Sequence, residues 1–207
     1  MKTIALNAVS PEPELLQQAA DALANGRVVA FPTDTFYRLA VDPRNVEAVD
    51  RLYALKGRSA ASALTLIAAD GAQAAQAASF GPAARKLAAR WWPGPLTIVA
   101  QAQPVIPSTT LGGGGTVGVR VPDHAVARGI ARAFGFCITA TSANLSGQPP
   151  AVSASDVSPS LPDIDLVVDA GITRGGVAST IVDTTTEKVR LVRAGAIPWE
   201  LVLEFFG

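Results

Sequence analysis

Stretches with helical periodicity alternate with short apolar runs along this chain, and that alternation constrains its fold more than any other feature. In residues 10–26 a proline-opened stretch carries Leu15, Leu16, Ala19, Ala22 and Leu23 at helical spacing, and Arg27-Val28-Val29-Ala30-Phe31 follows. In residues 45–57, Val46, Val49, Leu52, Tyr53 and Leu55 repeat the pattern ahead of Ala63-Leu64-Thr65-Leu66-Ile67-Ala68. An Ala-rich helical stretch reaching Trp91-Trp92 precedes Leu96-Thr97-Ile98-Val99-Ala100, and residues 123–135 precede Phe136-Cys137-Ile138. Helices feeding short buried strands make an α/β domain, and ligands of such sheets gather where strands run out into loops. The expected caps are Ser10-Pro11 for the first helix, Asn45 and Gly57 for the second, and Asp123 and Gly135 for the last.

Two polar pairs sit at such ends. Lys56-Gly57-Arg58 places two cations two residues apart; in an extended segment both reach into one space. Lysine supplies a compact charge and arginine a planar fork, a combination suited to a polyanion. Read alone, the pair is also what a solvated basic turn looks like. Ser142 and Asn144 repeat the spacing after the Phe136-Cys137-Ile138 run, and together the four residues make a shared anion site the expectation. A third polar loop, Pro32-Thr33-Asp34-Thr35-Phe36-Tyr37, follows the first strand. If it is extended, the hydroxyls at 33, 35 and 37 face one way toward a polar ligand; otherwise it is a turn capping the next element.

Composition narrows the classes. Of 207 residues 49% are hydrophobic and only 6% aromatic, so a core of Ala, Val, Leu and Ile in one domain spanning 1–207 is expected. Net charge is zero, which argues against gripping nucleic acid by bulk electrostatics and makes any basic site local. Cys137 is the only cysteine and His124 the only histidine, which excludes a Cys/His metal site and an intramolecular disulfide. Cys137 reads as core packing and His124 as structural or peripheral, with no G-x-S-x-G elbow beside it. No apolar run approaches the roughly 20 residues of a membrane span, and the start of the chain turns polar too soon for a signal peptide, so a cytoplasmic, membrane-free protein is expected.

The remaining chain reads as a mobile Pro/Gly loop ending in Gly112-Gly113-Gly114-Gly115, then the strand Val117-Gly118-Val119-Arg120-Val121. A strand after those glycines excludes a dinucleotide fingerprint, which needs a helix there. Residues 153–162 form a polar connector with one helical turn. Leu166-Val167-Val168-Asp169 and Ser179-Thr180-Ile181-Val182-Asp183 read as strands, and Val189-Arg190-Leu191-Val192-Arg193 as the hairpin partner of the second. Ser179, Thr180 and Arg193 lie near strand ends, placed for further phosphate contacts.

These segments resemble, in order, the motifs of the YrdC-like domain of threonylcarbamoyl-AMP synthases. The motifs are Pro32-Thr33-Asp34-Thr35-x-Tyr37, Lys56-Gly57-Arg58, Trp92-Pro93-Gly94-Pro95-Leu96-Thr97, Val119-Arg120-Val121-Pro122-x-His124, Thr141-Ser142-Ala143-Asn144-x-Ser146-Gly147, Ser179-Thr180-Ile181-Val182-Asp183 and Arg193-x-Gly195. The resemblance covers nearly the whole chain. It implies a single YrdC-like α/β domain with a twisted mixed β-sheet, flanking helices and a basic concave cavity. There ATP, L-threonine and bicarbonate or CO2 would give threonylcarbamoyl-AMP and diphosphate. A downstream tRNA threonylcarbamoyl transferase complex would use that product to modify the adenosine beside the anticodon, with at most a weak tRNA contact by this chain.

By the same resemblance Lys56, Arg58, Ser142 and Asn144 would be the catalytic set around the phosphates, and Thr35, Tyr37 and Arg58 would hold threonine. Lys56, Ser142, Asn144, Ser179, Thr180 and Arg193 would hold the nucleotide. A carbamate formed on the threonine amine must attack the α-phosphate, so fixed donors that relieve anion–anion repulsion are the chemistry required. Mg²⁺ is expected to arrive with ATP, with no metal ligands supplied by the chain. Three features depart from the family pattern: Arg38 stands where glycine usually follows the tyrosine, Ser62-Ala63 stand where Lys or Asn precedes Pro, and the C-terminal extension of some relatives is not in this sequence. Two alternatives stay open: a non-catalytic nucleotide- or RNA-binding module, and a carbamoyl-transferring part of a larger maturation enzyme.

Overall fold

The computed structural model describes residues 2–57, 59, 61–161 and 163–206, with backbone alone at 158–160. In chain order its elements are β1 (Lys2–Ala5), α1 (Pro13–Ala24), β2 (Val29–Phe31), β3 (Arg38–Ala40), α2 (Val46–Lys56), β4 (Thr65–Ile67), α3 (Gly71–Ala77), β5 (Ala78–Ser79), α4 (Pro82–Trp91) and β6 (Leu96–Ala102). They continue with β7 (Thr116–Arg120), α5 (Ala125–Phe134), β8 (Ile138–Thr139), β9 (Thr141–Ser142), α6 (Ala154–Ser160), β10 (Leu166–Asp169), β11 (Thr180–Asp183), β12 (Arg190–Arg193) and α7 (Trp199–Glu204).

The mixed α/β class holds, with the strands divided between two sheets. One runs β1-β10-β2-β3-β9 and the other β12-β11-β6-β7-β4-β8, with β5 paired to β6. Both mix parallel and antiparallel pairs: β1, β10 and β2 are parallel while β3 returns antiparallel, and β11 is parallel to β6 while β7 returns antiparallel. The division occurs where the apolar run at 136–138 ends. Ile138–Thr139 pair with β4 in the second sheet, whereas Thr141–Ser142 pair with β3 in the first. Ala140 stands at the crossing and donates its N–H to Thr65 O at 2.7 Å.

At the centre of the first sheet both faces are buried, so β2 and residues 166–168 of β10 are apolar throughout rather than alternating. Val29, Phe31, Leu166 and Val168 face α1 and α5, among Leu23, Val126 and Ile130. Val28, Ala30 and Val167 face the other way, onto Val49, Leu52 and Tyr53 of α2 and Val157 of α6. The second sheet carries Leu66, Ala100, Val117 and Val119 against α3 and Cys137, and Leu96, Ile98 and Val182 against α4 and α7.

Several boundaries differ from the sequence expectation for local reasons. The first helix starts at Pro13, not Pro11: Glu12 is held extended by the proline after it (φ −68°, ψ 124°) and becomes the N-cap position. The fourth expected helix is preceded by His124 rather than Asp123 at its N-cap, with no side-chain cap bond. The Ala-rich stretch is two helices, since Ala78–Ser79 pair with Gln101 and Ala102 and Pro82 opens α4 afresh. The glycine run at 112–115 is a chain of hydrogen-bonded turns, with Gly113 N on Ser108 O and Gly114 N on Leu111 O. Asn45 caps α2 as expected, accepting from Ala48 N, and Gly57 ends it in the left-handed region at φ 57°. Among the described residues no helix is long and apolar enough to cross a membrane.

Candidate functional site

α2 ends by delivering Lys56 into the interior, where its side chain is only 3% exposed. Lys56 Nζ donates to the carbonyl oxygens of Ser142 at 2.5 Å and Asn144 at 2.6 Å, and Ser146 N donates back to Lys56 O at 3.2 Å. Lys56 of the first polar pair therefore meets the second pair across 86 positions of sequence. Two of the ammonium protons go to backbone carbonyls, so Lys56 shapes the 142–146 loop from beneath. Arg58 lies outside the described residues.

Asn144 continues the same work. Its Nδ2 donates to Leu145 O at 3.0 Å and Gln148 O at 2.5 Å, while its buried Oδ1 has no hydrogen-bond partner among the described residues. An acceptor left unsatisfied in the interior costs free energy, which marks this amide as a place where a donor is called for. Ser142 is half-buried and sits opposite Arg38 in the β3–β9 register, so the two side chains share one face of the sheet.

The polar loop at 32–37 closes as a turn and does not run extended. Thr33 Oγ1 donates to Phe36 O at 2.8 Å and lies 3.1 Å from Thr35 Oγ1. Thr33 and Thr35 thus stay together while Tyr37 departs to the opposite face, fully buried, with its hydroxyl donating to Gly171 O at 2.8 Å. Burial, and then the nearby Asp169 charge, push the Tyr37 phenol well above its ordinary value, so it stays protonated.

Ser179 and Arg193 come together at the start of β11. Arg193 Nη2 donates to Ser179 O at 2.8 Å and to Ser179 Oγ at 3.1 Å, and Ser179 Oγ lies 2.9 Å from Thr97 Oγ1. Gly195 allows this junction: a Cβ there would stand 2.4 Å from Ala178 O and Thr180 N. Thr180 is turned away, its hydroxyl donating to Ile197 O at 2.7 Å and accepting from Ile197 N at 2.9 Å.

Between the sheets these parts enclose a narrow cleft of about 40 Å³, lined by Arg38, Thr65, Ile67, Thr97, Arg120, Ala140, Ser179 and Arg193. Of the residues singled out in the sequence, Ser179 and Arg193 line it, Thr35 and Ser142 adjoin it through Arg38, and Lys56, Asn144, Tyr37 and Thr180 hold its surroundings. A wider groove at Arg27, Arg51 and 163–165 contains none of those residues.

Arg120, a residue of the Val119-Arg120-Val121-Pro122 motif, anchors the cleft. Its Nη2 reaches both Asp34 oxygens at 2.5 and 2.6 Å, and its Nε donates to Gly94 O at 2.9 Å, with both side chains nearly buried. Burial lowers the Arg120 pKa, and the Asp34 carboxylate opposes that shift. Arg38, noted in the sequence as a departure, projects into the same space. Burial and then the Arg120 and Arg193 charges lower its pKa to about 10, with Asp34 pulling the other way. The presence of Pro32-Thr33-Asp34 and Val119-Arg120 among the motifs was the available signal for the Asp34–Arg120 pair; pairing across 86 positions is not visible in local patterning.

Comparison with known proteins agrees with this architecture. The profile of the Sua5/YciO/YrdC family, described as "Telomere recombination", matches residues 21–195. The threonylcarbamoyl-AMP synthases of Pyrococcus abyssi and Bacillus subtilis are 38% and 37% identical over 91% and 95% of this chain. The chain spans 56% and 57% of the length of those two relatives. A crystal structure of P. abyssi Sua5 complexed with L-threonine superposes with a TM-score of 0.94 at 36% identity, over 100% of this chain and 61% of that one. E. coli YciO, at 24% identity, shares the fold with a TM-score of 0.86 over 96% of this chain and 98% of its own. With a profile match over most of its length and relatives of this identity, the chain belongs to the Sua5/YciO/YrdC family.

Proposed function

We propose that this chain is an L-threonylcarbamoyladenylate synthase. It would join L-threonine, bicarbonate or CO2 and ATP to give threonylcarbamoyl-AMP and diphosphate, and pass the adenylate to a tRNA threonylcarbamoyl transferase complex. The observation that carries this reading is the likeness, over the whole of this chain, to a Sua5 structure holding L-threonine.

The geometry supports a division of labour. The cleft between the sheets, with Thr35 at its edge and Ser179, Arg38, Arg120 and Arg193 in its wall, has a cationic, hydroxyl-bearing lining of the kind that an anionic substrate group calls for. The 142–146 loop, held from below by Lys56, supplies Ser142 and the unsatisfied Asn144 amide beside it. A carbamate carboxylate attacking the α-phosphate gains from cations and dipoles fixed before the reaction, since little reorganisation remains to oppose charge development. Mg²⁺ enters with the ATP phosphates as part of the substrate. Among the described residues no group of three or more His, Cys, Asp and Glu side chains stands ready to hold an ion.

The test is mass spectrometry of a reaction containing the purified chain, MgATP, bicarbonate and L-threonine, against a control without threonine. Threonylcarbamoyl-AMP formed together with threonine-dependent diphosphate is the expected result. A folded sample that binds ATP and makes neither overturns the enzyme reading.

A further inference from the structure

α7 and the two phenylalanines after it are apolar on nearly every side, yet they lie on the surface. Trp199 and Val202 pack into the core beside α4, whereas Leu201, Leu203, Phe205 and Phe206 remain between 39 and 53% exposed. A helix apolar all round is ordinarily a buried one, so this segment calls for a cover. Its polar residues are both acidic. Glu200 and Glu204 stand one turn apart on the exposed side, flanked by Leu201 and Leu203.

A complementary surface lies one helix away on the same chain. Between α3 and α4 runs a groove of about 490 Å³ with an apolar lining of Ala75, Ala78, Phe80, Ala88 and Trp92, and with Arg85 beside it. α3 and α4 contain no acidic residue, α4 carries Arg85, Lys86 and Arg90, and Asp70 ahead of α3 faces Arg132 at 3.9 Å. Among the described residues neither these three α4 cations nor the two glutamates of α7 make an ion pair.

Helical spacing sets these parts on one outer face. Along α4, Ala84, Leu87 and Trp91 turn toward the core and α7, with the rings of Trp91 and Phe205 5.1 Å apart. Arg85 and Ala88, with Trp92 just past the helix end, turn toward the groove. Lys86, Ala89 and Arg90 are exposed between those two strips. α4 thus stands between an acidic apolar helix and a basic apolar groove.

We propose that a second copy of this chain covers this face. About a two-fold axis over Ala89, the α7 of each copy lies in the groove of the other. One rotation brings both complementary pairs together, which is the isologous arrangement that closes at a dimer. Glu200 and Glu204 then meet Arg85, Lys86 and Arg90 of the facing copy, while Leu201 and Leu203 settle on the alanine and aromatic lining. An RNA strand would answer the cations and leave the apolar side chains of α7 in water; a second copy answers both.

Sedimentation velocity of the full chain from about 1 to 100 µM tests this, with a reversible dimer as the expected result. Leu203→Asp, which leaves the core side of α7 alone, should weaken association by about 10-fold or more. Two charge variants test the exchange. Arg85→Glu/Lys86→Glu and Glu200→Lys/Glu204→Lys each set like charges against one another in both contacts, so each should be monomeric by itself. Mixed in equal amounts they should form a heterodimer, because every contact then joins opposite charges. A wild type that stays monomeric across that range overturns the proposal, and so does a dimer indifferent to Leu203→Asp and to both charge variants. Dissociation without rescue on mixing overturns the exchange of α7. A monomer that binds a single-stranded oligoribonucleotide through Arg85 and Lys86 assigns the cations to RNA and overturns it as well. Should a charge variant fail to fold, Leu203→Asp and Ala89→Arg, which sets two cations against each other on the axis, decide the question by whether they dissociate the dimer.

Discussion

Lys56 Nζ lies 2.6 Å from the carbonyl oxygen of Asn144, with the lysine side chain 3% exposed. A charge buried this way is tolerated because oxygens surround it, and the same bonds fix the loop that carries Ser142 and Asn144. Lys56→Ala is therefore expected to act twice. It should lower unfolding stability by on the order of 3 kcal/mol, from two lost charge-assisted hydrogen bonds, and slow threonine-dependent diphosphate release by about 100-fold or more. Urea denaturation and a diphosphate assay on the same sample measure both; a variant of full activity would show that the loop does not depend on the clamp.

Asp34 and Arg120 form a pair nearly closed to solvent, at 12% and 4% side-chain exposure. Removing one partner strands the other, so Asp34→Ala and Arg120→Met should each cost about 3 kcal/mol or more. The double variant should cost clearly less than the sum. A double-mutant cycle by chemical denaturation checks this, and strict additivity would mean the two residues are not coupled.

His124 is the only histidine of the chain, and its Nδ1 is buried without a partner among the described residues. Burial lowers its pKa below 6.5; Asp34 and Asp123 oppose the shift and Arg128 reinforces it. A base whose folded pKa is depressed takes up its proton more readily when unfolded. Its contribution to stability is thus complete above about pH 6.5 and is lost as pH falls below that value, with a slope of at most about 1.4 kcal/mol per pH unit. Asp165 and Asp183 do not blur this window. Burial raises each, but hydrogen bonds from Arg51 and Val28 N to Asp165, and from Thr185 and Arg190 to Asp183, more than offset it and hold both below 3.8. Thermal denaturation between pH 7.5 and 5 should show this acid loss in wild type and a flatter profile in His124→Gln.

Gly195 approaches backbone at 178–180 too closely for any side chain. Gly195→Ala is expected to cost about 1–3 kcal/mol and to loosen Arg193 from Ser179. Thermal denaturation reads the first effect, and ATP affinity, several-fold weaker on the synthase reading, reads the second. Unaltered stability would place the chain near 195 farther from β11 than the structure has it.

Much of the fold was legible because it rests on local chemistry. Asn45 and Gly57 announced α2, Gly135 announced the end of α5, and the apolar run at 166–169 announced β10 to the residue. The short strand Arg38–Ala40 escaped notice because its three residues carry no alternation and its first is a cation. Division into two sheets escaped for a related reason: the apolar run stops at Ile138, and Thr141–Ser142, which read as loop, form a two-residue strand that only its pairing with Arg38 and Leu39 reveals. In the site, the meeting of Lys56 with the 142–146 loop was foreseeable from the matching polar pairs, but the direction of the lysine was not. Lysine protons are drawn to whichever oxygens are near, and here backbone carbonyls supply them. Of the two forms open to the 32–37 loop, the turn is the one adopted, because the Thr33 hydroxyl bonds back to Phe36 O, and Tyr37 is thereby separated from Thr33 and Thr35.

The crossing at Ala140 fixes more than topology. On one side Thr139 N holds Val41 O, and on the other Ala140 N holds Thr65 O, at 3.2 and 2.7 Å, so one peptide segment is riveted to both sheets. The cleft's two walls are therefore parts of a single frame and cannot spread without breaking those bonds. Its width is set by the backbone and not by the side chains that line it.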